Sequence, residues 1–146
     1  MPTYTVNAPD GRLSSEQKNR IAAEITRIHH EVTGAPSFFA QVIFVDVKGG
    51  NYFVGGVALS SDQIFVHGQI RAGRSADDKH RLLLRILPAV AVAASMPNSH
   101  VWMYLVDLPA AQMAEFGQIL PEPGGEAAWT AALPADERER MQSIGR

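Results

Sequence analysis

Apolar residues recur along the first part of the chain with two different periods. Thr3 to Asn7 alternates in the manner of a short strand. Apolar positions then follow helical spacing behind a capping box formed by Ser14 and Gln17. These positions are Ile21, Ala22, Ile25, Ile28 and Val32, and the helix is predicted to end at Gly34-Ala35-Pro36. Gln41 to Val47 predicts a second strand, and Tyr52 to Val57 predicts a hairpin or an edge element.

The same order of elements is predicted again after a linker at residues 60–62. It comprises a strand from Ile64 to Ile70, a helix from Ala76 to Ser95 capped by Ser75, and a strand from His100 to Asp107. A kink is expected at Pro88, which lies inside the second helix. Matching residues lie 61 positions apart in the two passes, namely Lys18 and Lys79, Asp46 and Asp107, and Ala35-Pro36 and Met96-Pro97. Several matches in one register indicate a tandem duplication.

This pattern predicts the α/β class in its α+β form, with two tandem β-α-β units in a single domain. The units span residues 1–61 and 62–122, and a C-terminal extension spans residues 123–146. Right-handed crossovers give a four-stranded sheet with two helices on one face. The other face is expected to be apolar and open, so that oligomerisation covers it. Short helices are predicted at Pro109–Gln118, Glu126–Leu133 and Ala135–Gln142, with Trp129 and Leu133 packing on the domain or on a neighbour.

Composition narrows the functional classes. The 146 residues carry a formal net charge of -2 and no cysteine, which argues against a nucleic-acid partner and excludes disulfides, thiolate nucleophiles and thiol metal sites. No apolar run reaches the roughly 18 residues that span a bilayer, and the N-terminus lacks a signal-peptide pattern. We therefore expect a cytoplasmic protein without a membrane partner. The histidines show no ligand spacing, so no metal site is expected.

Pro2 is an unusual candidate for chemistry because it directly follows the initiator methionine. Once Met1 is removed, Pro2 would be a secondary amine at the start of a buried strand, able to act as a general base when neutral or a general acid when protonated. Many chains begin with Met-Pro and use neither property, so this observation alone leaves both interpretations open.

Two arginines flank the turn that precedes the second predicted helix. Arg71 and Arg74 lie beside the N-terminus of a helix capped by Ser75, where the helix dipole and the backbone N–H groups also favour an anion. A carboxylate or phosphate site and a pair of solvated turn arginines are both consistent with this pattern.

Three further residues could contribute to a site. Glu115 lies between Met113 and Phe116, an apolar setting that could raise its proton affinity and suit it to act as a base towards water. An exposed glutamate on a short helix is the alternative. Tyr104 could orient water through its hydroxyl or could simply belong to the core. His29 or His30 could face a pocket, although adjacent helical positions point about 100° apart and do not suit joint metal binding.

The whole pattern resembles the tautomerase superfamily and, within it, the cis-3-chloroacrylic acid dehalogenase family. The first unit is similar to a single 4-oxalocrotonate tautomerase subunit. The similarity to the fused dehalogenases rests on segments spread over nearly the whole chain, which are Ile28-His29, Ala40-Gln41-Val42, Ile64-Phe65-Val66-His67-Gly68, Arg71-Ala72-Gly73-Arg74-Ser75-Ala76-Asp77, Val101-Trp102-Met103-Tyr104, Gln112-Met113-Ala114-Glu115-Phe116-Gly117 and Leu120-Pro121-Glu122-Pro123-Gly124.

The resemblance implies a role for each of six residues. Pro2 would be the proton donor, Arg71 and Arg74 would bind the substrate carboxylate, and His29 would assist binding. Tyr104 and Glu115 would position and activate water. Phe116 departs from the family, which has a tyrosine at this position and therefore an additional hydroxyl near the site. The resemblance also implies a homotrimer and chemistry without cofactor or metal.

The implied reaction is the addition of water to a cis-3-substituted acrylate such as cis-3-chloroacrylate, or to a related unsaturated three-carbon acid. Two other classes stay open. A keto-enol tautomerase of the phenylpyruvate type would use neutral Pro2 as a base, and a binding protein on the same fold would have no turnover at all.

Overall fold

The computed structural model describes residues 2–144. Four α-helices are present in this range, α1 Ser15–Thr33, α2 Ala76–Ala94, α3 Glu126–Ala132 and α4 Ala135–Ser143. The strands of the same range are β1 Thr3–Pro9, β2 Gln41–Val47, β3 Phe53–Val54, β4 Val57–Ala58, β5 Ile64–Arg71, β6 Val101–Leu108, β7 Ala114–Glu115 and β8 Gln118–Ile119.

The four long strands form one sheet in the order β2-β1-β5-β6. Strands β1 and β2 are parallel, as are β5 and β6, and the two pairs join through antiparallel pairing of β1 with β5. The short strands form two separate hairpins. The predicted α+β class, with two β-α-β crossovers building a four-stranded sheet, is confirmed.

Local signals in the sequence explain where the two long helices begin. The Ser14 hydroxyl accepts a hydrogen bond from the Gln17 backbone N–H, and the Gln17 side chain accepts one from the Ser14 N–H, so the predicted capping box is present. Ser75 caps α2 by accepting from the Asp78 N–H at 3.0 Å. Helix α2 continues through Pro88 to Ala94.

Two ion pairs lie at the 61-residue spacing of the predicted repeat. The Lys18 Nζ atom lies 3.0 Å from the Asp46 carboxylate, and the Lys79 Nζ atom lies 2.6 Å from the Asp107 carboxylate. Each pair links the first turn of a long helix to the strand that follows it. The repeat boundaries at residues 61 and 122 stay a prediction.

The core lies between the sheet and helices α1 and α2. Every second residue of β1 is fully buried, and so are the inward positions of β5. They pack against the apolar stripes of the helices, which are Ile21, Ile25, Ile28 and Val32 on α1 and Leu82, Ile86 and Val90 on α2. Burial of each such side chain stabilises the fold by roughly 1.5–3 kcal/mol.

The opposite face of the sheet is open, and its composition corrects the expectation of a uniformly apolar surface. The outer strands expose apolar side chains, which are Ile43 and Val45 on β2 and Trp102, Tyr104 and Val106 on β6. The central strands present mostly polar ones, which are Thr3, Thr5, Asn7, His67 and Gln69, together with Phe65. The alternation of each strand requires this arrangement, because the apolar positions of β1 are all used on the helix side.

A second, smaller core supports the C-terminal segment. It contains Phe39, Ala110, Leu120, Trp129, Leu133 and Met141. The Trp129 indole donates to the Ile119 carbonyl at 2.8 Å, which fixes α3 against the β8 strand. The packing predicted for Trp129 and Leu133 and the helices predicted near 126 and 135 are confirmed.

The helix predicted over Pro109–Gln118 is wrong. A single 3-10 turn at Ala110–Gln112 is followed by the hairpin of β7 and β8, whose two turn residues Phe116 and Gly117 both have positive φ, at 51° and 74°. Two consecutive residues with positive φ make a tight hairpin turn. Phe116 is held there by edge-on packing against Phe39 and Trp129.

Across residues 2–144, no helix is both long and apolar enough to cross a lipid bilayer.

Candidate active site

The topology gathers chemistry-bearing residues at one edge of the sheet. Strands β1 and β2 begin at this edge, where Thr3 pairs with Gln41, and strands β5 and β6 end there, where Arg71 pairs with Leu108. Because β1 and β5 are antiparallel, the start of one lies beside the end of the other. Pro2 and Arg71 therefore belong to the same edge.

Pro2 immediately precedes β1 and is buried. Its carbonyl accepts a hydrogen bond from the Gln41 N–H at 2.9 Å, which extends the β1–β2 pairing by one step and fixes the backbone. Met1 lies outside the described residues. The free amine of Pro2 accordingly stays a prediction.

His29 is buried on the inner side of α1, and its ring Nδ1 lies 2.8 Å from the Tyr4 hydroxyl. Burial, together with the nearby positive charge of Arg74, lowers the pKa of His29 from 6.5 to about 4. Burial also raises the pKa of the Tyr4 phenol, which stays protonated.

The hydrogen bond to Tyr4 favours one tautomer of His29. Within residues 2–144 the Tyr4 hydroxyl has no acceptor besides His29, which favours donation of its proton to Nδ1. A neutral imidazole that accepts at Nδ1 carries its proton on Nε2. His29 is thus an uncharged N–H donor near the turn that holds Arg74.

Arg71 is the last residue of β5, and its side chain is 2% exposed. One terminal nitrogen donates to the Pro121 carbonyl at 2.7 Å, and the other donates to the Glu126 carboxylate at 2.5 Å. The Nε–H is buried without an acceptor among the described residues. A buried donor of this kind is costly unless a ligand or water satisfies it.

Arg74 approaches the same space from the turn before α2. Its guanidinium donates to the Thr33 carbonyl at 2.8 Å, and the Thr33 hydroxyl donates to the His29 carbonyl at 2.7 Å. The C-terminus of α1 therefore connects His29 with Arg74. Partial burial lowers the pKa of Arg74, and the positive charge of Arg71 lowers it further.

The two arginines line one cavity of about 250 Å³. The other lining residues are Thr33, Gly34, Ala35, Pro36 and Glu126. The cavity therefore combines two guanidiniums with a single carboxylate. Such a cavity suits a small carboxylate, which can accept from both guanidiniums.

Glu115 lies on the β7 strand, next to the hairpin turn, and lines a second, open cavity of about 670 Å³. Most of this lining is apolar, including Phe38, Phe39, Leu108, Met113 and Phe116, and it contains Arg140. Thr3 and Gln41 also line it, so this cavity reaches the edge of the sheet where Pro2 lies. The hairpin, rather than the predicted short helix, presents Glu115 to this space.

The candidates are not all gathered in one place: Arg71 and Arg74 line one cavity and Glu115 lines the other, and Tyr104 is not among the lining residues of either. It lies opposite His67 in the middle of β6, on the open face, and is 58% exposed. The end of β6 at Leu108 lies four positions further along the strand, about 13 Å away. Its ring packs edge-on against Phe65 with centroids 5.0 Å apart.

Residues in contact with the candidates include three that the sequence analysis did not select, Tyr4, Thr33 and Glu126. Strand alternation places Tyr4 on the helix side, and a histidine on the apolar face of α1 is a signal that could have paired it with His29. No local pattern indicates Glu126, because its partner Arg71 lies 55 positions away.

His29 and His30 diverge as predicted, since the His30 Nδ1 atom lies 2.7 Å from the Ala35 carbonyl oxygen. In the part of the chain that the structure describes, no group of three or more His, Asp or Glu side chains could hold a metal ion.

Comparisons with known proteins agree on one family. A family model described as "putative oxalocrotonate tautomerase enzyme" matches residues 1–132. A crystal structure of a member of the cis-3-chloroacrylic acid dehalogenase family is 34% identical and covers 97% of this chain and 99% of its own, with a TM-score of 0.91.

Two fused 4-OT structures share the fold at 21% identity. One is described as an asymmetric trimer, with a TM-score of 0.74 over 80% of this chain and 94% of its own. The other is described as a symmetric trimer, with a TM-score of 0.70 over 77% of this chain and 90% of its own.

Proposed function

The chain belongs to the tautomerase superfamily and, within it, to the cis-3-chloroacrylic acid dehalogenase family, and from this premise we propose that it hydrates cis-3-substituted acrylates without a cofactor. The substrates would be cis-3-chloroacrylate or a related unsaturated three-carbon acid. With chloride on C3, the overall reaction is a hydrolytic dehalogenation.

The observation that carries this proposal is the cavity between Arg71 and Arg74. The two guanidiniums that line it suit a carboxylate, and a carboxylate polarised by two guanidiniums draws electron density away from C3 of an acrylate. The uncharged N–H of His29 would add a hydrogen bond without adding charge.

The proposed addition involves two proton transfers, one from water to Glu115 and one from Pro2 to C2. Water attacks C3 as Glu115 accepts its proton, and the displaced π electrons move towards C2 and the carboxylate held by the arginines. Protonated Pro2 then donates a proton to C2. The resulting 3-chloro-3-hydroxypropanoate loses HCl and gives malonate semialdehyde, after which proton exchange with solvent restores Pro2 and Glu115.

Tyr104 would contribute through assembly. Since it lies on the open face, about 13 Å along the strand from the arginine edge, a second copy packed on that face is the simplest way to bring it to a site. We extend the proposal to a homotrimer whose subunits cover their open faces with one another, in line with the trimeric fused 4-OT structures.

A keto-enol tautomerase is the second candidate, favoured by the description of the matching family model. It needs neutral Pro2 as a base, whereas hydration needs protonated Pro2 as an acid. The pH dependence of kcat/KM therefore separates the two functions, because the hydratase loses activity as Pro2 is deprotonated and the tautomerase gains it.

The direct test is a turnover screen with protein whose N-terminus has been verified by mass spectrometry. Cis-3-chloroacrylate, its trans isomer, propiolate and phenylenolpyruvate are supplied separately, and chloride, malonate semialdehyde and keto product are followed. We expect the wild-type protein to turn over cis-3-chloroacrylate and the Arg74→Ala variant to lose this activity. Turnover of phenylenolpyruvate alone would replace the proposal with a tautomerase, and no turnover of any acid would refute both.

A further inference from the structure

Glu126 is an acidic side chain inside a cavity that otherwise suits anions. Its Oε1 atom accepts from Arg71 at 2.5 Å, and its Oε2 atom accepts from the Gly124 N–H at 2.8 Å. These bonds to Arg71 and to the backbone hold the pKa of Glu126 below its usual range. The carboxylate is therefore ionised, and its orientation is fixed from both sides.

The charges facing the cavity can be counted from the described contacts. Among the lining residues, Arg71 and Arg74 are positive and Glu126 is negative. His29 lies near Arg74 outside the lining and is neutral at neutral pH, because its pKa is about 4. Asp78, on the first turn of α2, is paired with Arg81 at 3.2 Å. One net positive charge remains in the cavity.

The two arginines are therefore not equivalent. Arg71 is neutralised by Glu126, whereas Arg74 has only the neutral Thr33 carbonyl as a hydrogen-bond partner and forms no ion pair within residues 2–144. A single carboxylate would neutralise the cavity completely. A second carboxylate would lie in the same small volume as Glu126 and be repelled by it.

We propose that Glu126 is a specificity-determining residue, which restricts the site to monocarboxylates by setting its net charge to one. This inference rests on the proposed function, in which Arg71 and Arg74 bind the substrate carboxylate. Glu126 acts through charge and through its hold on Arg71, not through contact with the reacting carbons.

The test measures the binding of two matched three-carbon acids, propionate and malonate, by calorimetry. Wild-type protein is expected to bind propionate more tightly than malonate. Glu126→Gln keeps the shape and removes the charge, so the ratio of malonate to propionate affinity should rise by about tenfold or more, since the second carboxylate gains most from the loss of a nearby charge. Added salt should reduce the difference.

Two control variants separate charge from structure. Glu122→Gln removes an equal charge from the exposed part of the same segment and should leave the ratio unchanged. Glu126→Asp keeps the charge but shortens the side chain, so it should also keep the preference for propionate. If Glu126→Gln fails to fold, a loss of that preference in Glu126→Asp would overturn the proposal.

The outcomes distinguish this inference from the proposed function. If Arg74→Ala abolishes propionate binding but Glu126→Gln leaves the ratio of malonate to propionate affinity unchanged, the role of Glu126 is refuted and the anion site still stands. Failure of wild-type protein to bind either acid would refute the anion site itself and this inference with it.

Discussion

The Tyr4 hydroxyl and the Nδ1 atom of His29 lie 2.8 Å apart in the core, joining the first strand to the first long helix. The two rings meet edge to face with an interplanar angle of 71°. Both groups are in their neutral forms, because burial opposes charge on either of them. This pair makes the stability of the protein depend on pH.

The pKa of His29 predicts the direction of that dependence. Its folded value of about 4 lies below the ordinary value of 6.5, so the unfolded chain binds more protons between these values. The stabilisation is complete above pH 6.5 and is lost as the pH falls towards 4. Between about pH 7.5 and about pH 5, we expect the free energy of unfolding to fall by roughly 2 kcal/mol.

Urea unfolding of wild-type protein and the His29→Gln variant at the two pH values checks this prediction. The variant has no titratable ring, so its unfolding free energy should fall by roughly 2 kcal/mol less than that of the wild-type protein between the two pH values. Equal pH dependence in the two proteins would mean that folding does not lower the pKa of His29, which would contradict this account.

Removal of either cavity arginine should impair turnover, with different effects on stability. Arg74→Ala should lower kcat/KM by about 10- to 150-fold, since a charge-assisted hydrogen bond contributes about 1.5–3 kcal/mol, and should leave the fold intact. Arg71→Ala should also lower the free energy of unfolding by about 1–3 kcal/mol, because it leaves the Glu126 Oε1 atom and the Pro121 carbonyl without their donor. An unchanged kcat/KM in both variants would place the carboxylate elsewhere.

We expect the subunits to associate through the open face of the sheet. Trp102→Glu places a charge among the exposed apolar residues of β2 and β6, and sedimentation should show smaller species than the trimer proposed for the wild-type protein. Val92→Glu is the matched control, because Val92 is 63% exposed on α2. A stable wild-type monomer at micromolar concentration, or dissociation by Val92→Glu alone, would refute assembly through the open face.

The amine of Pro2 should be essential. In a protein that retains Met1, the nitrogen of Pro2 is an amide without useful basicity, so activity should collapse although the strand is unchanged. Mass spectrometry paired with the turnover assay checks this prediction. Full activity in a sample verified to retain Met1 would exclude Pro2 as the proton donor.

The sequence predicted the long elements because their signals are local. The capping box at Ser14 and Gln17, and the apolar stripe of α1, each lie within a few residues, and the structure contains both. The 61-residue spacing of Lys18 and Lys79 also indicated equivalent positions, since each lysine forms an ion pair with an aspartate of the strand that follows its helix.

The features that could not be predicted from the sequence depend on contacts between residues that lie far apart in the chain. The hairpin that carries Glu115 replaces a predicted helix because Phe116 takes a positive φ under packing from Phe39 and Trp129. The ion pair of Arg71 with Glu126 joins residues 55 positions apart, and no sequence pattern near either residue indicates it. The pattern of β6 predicts its strand correctly, but it does not show whether Tyr104, which is exposed on the open face, belongs to a site.

The proposed function depends most on Glu115, the residue that separates water addition from proton transfer. Hydration needs a base for water at C3, whereas tautomerisation needs only the Pro2 amine and the anion site. The paired measurement is kcat/KM of wild-type protein and of Glu115→Gln, with cis-3-chloroacrylate and with phenylenolpyruvate. We predict that dehalogenation falls by about 10²- to 10⁴-fold and that tautomerisation changes much less. An equal fall in both activities, or a fall in neither, would contradict the role of Glu115 as the base that activates water.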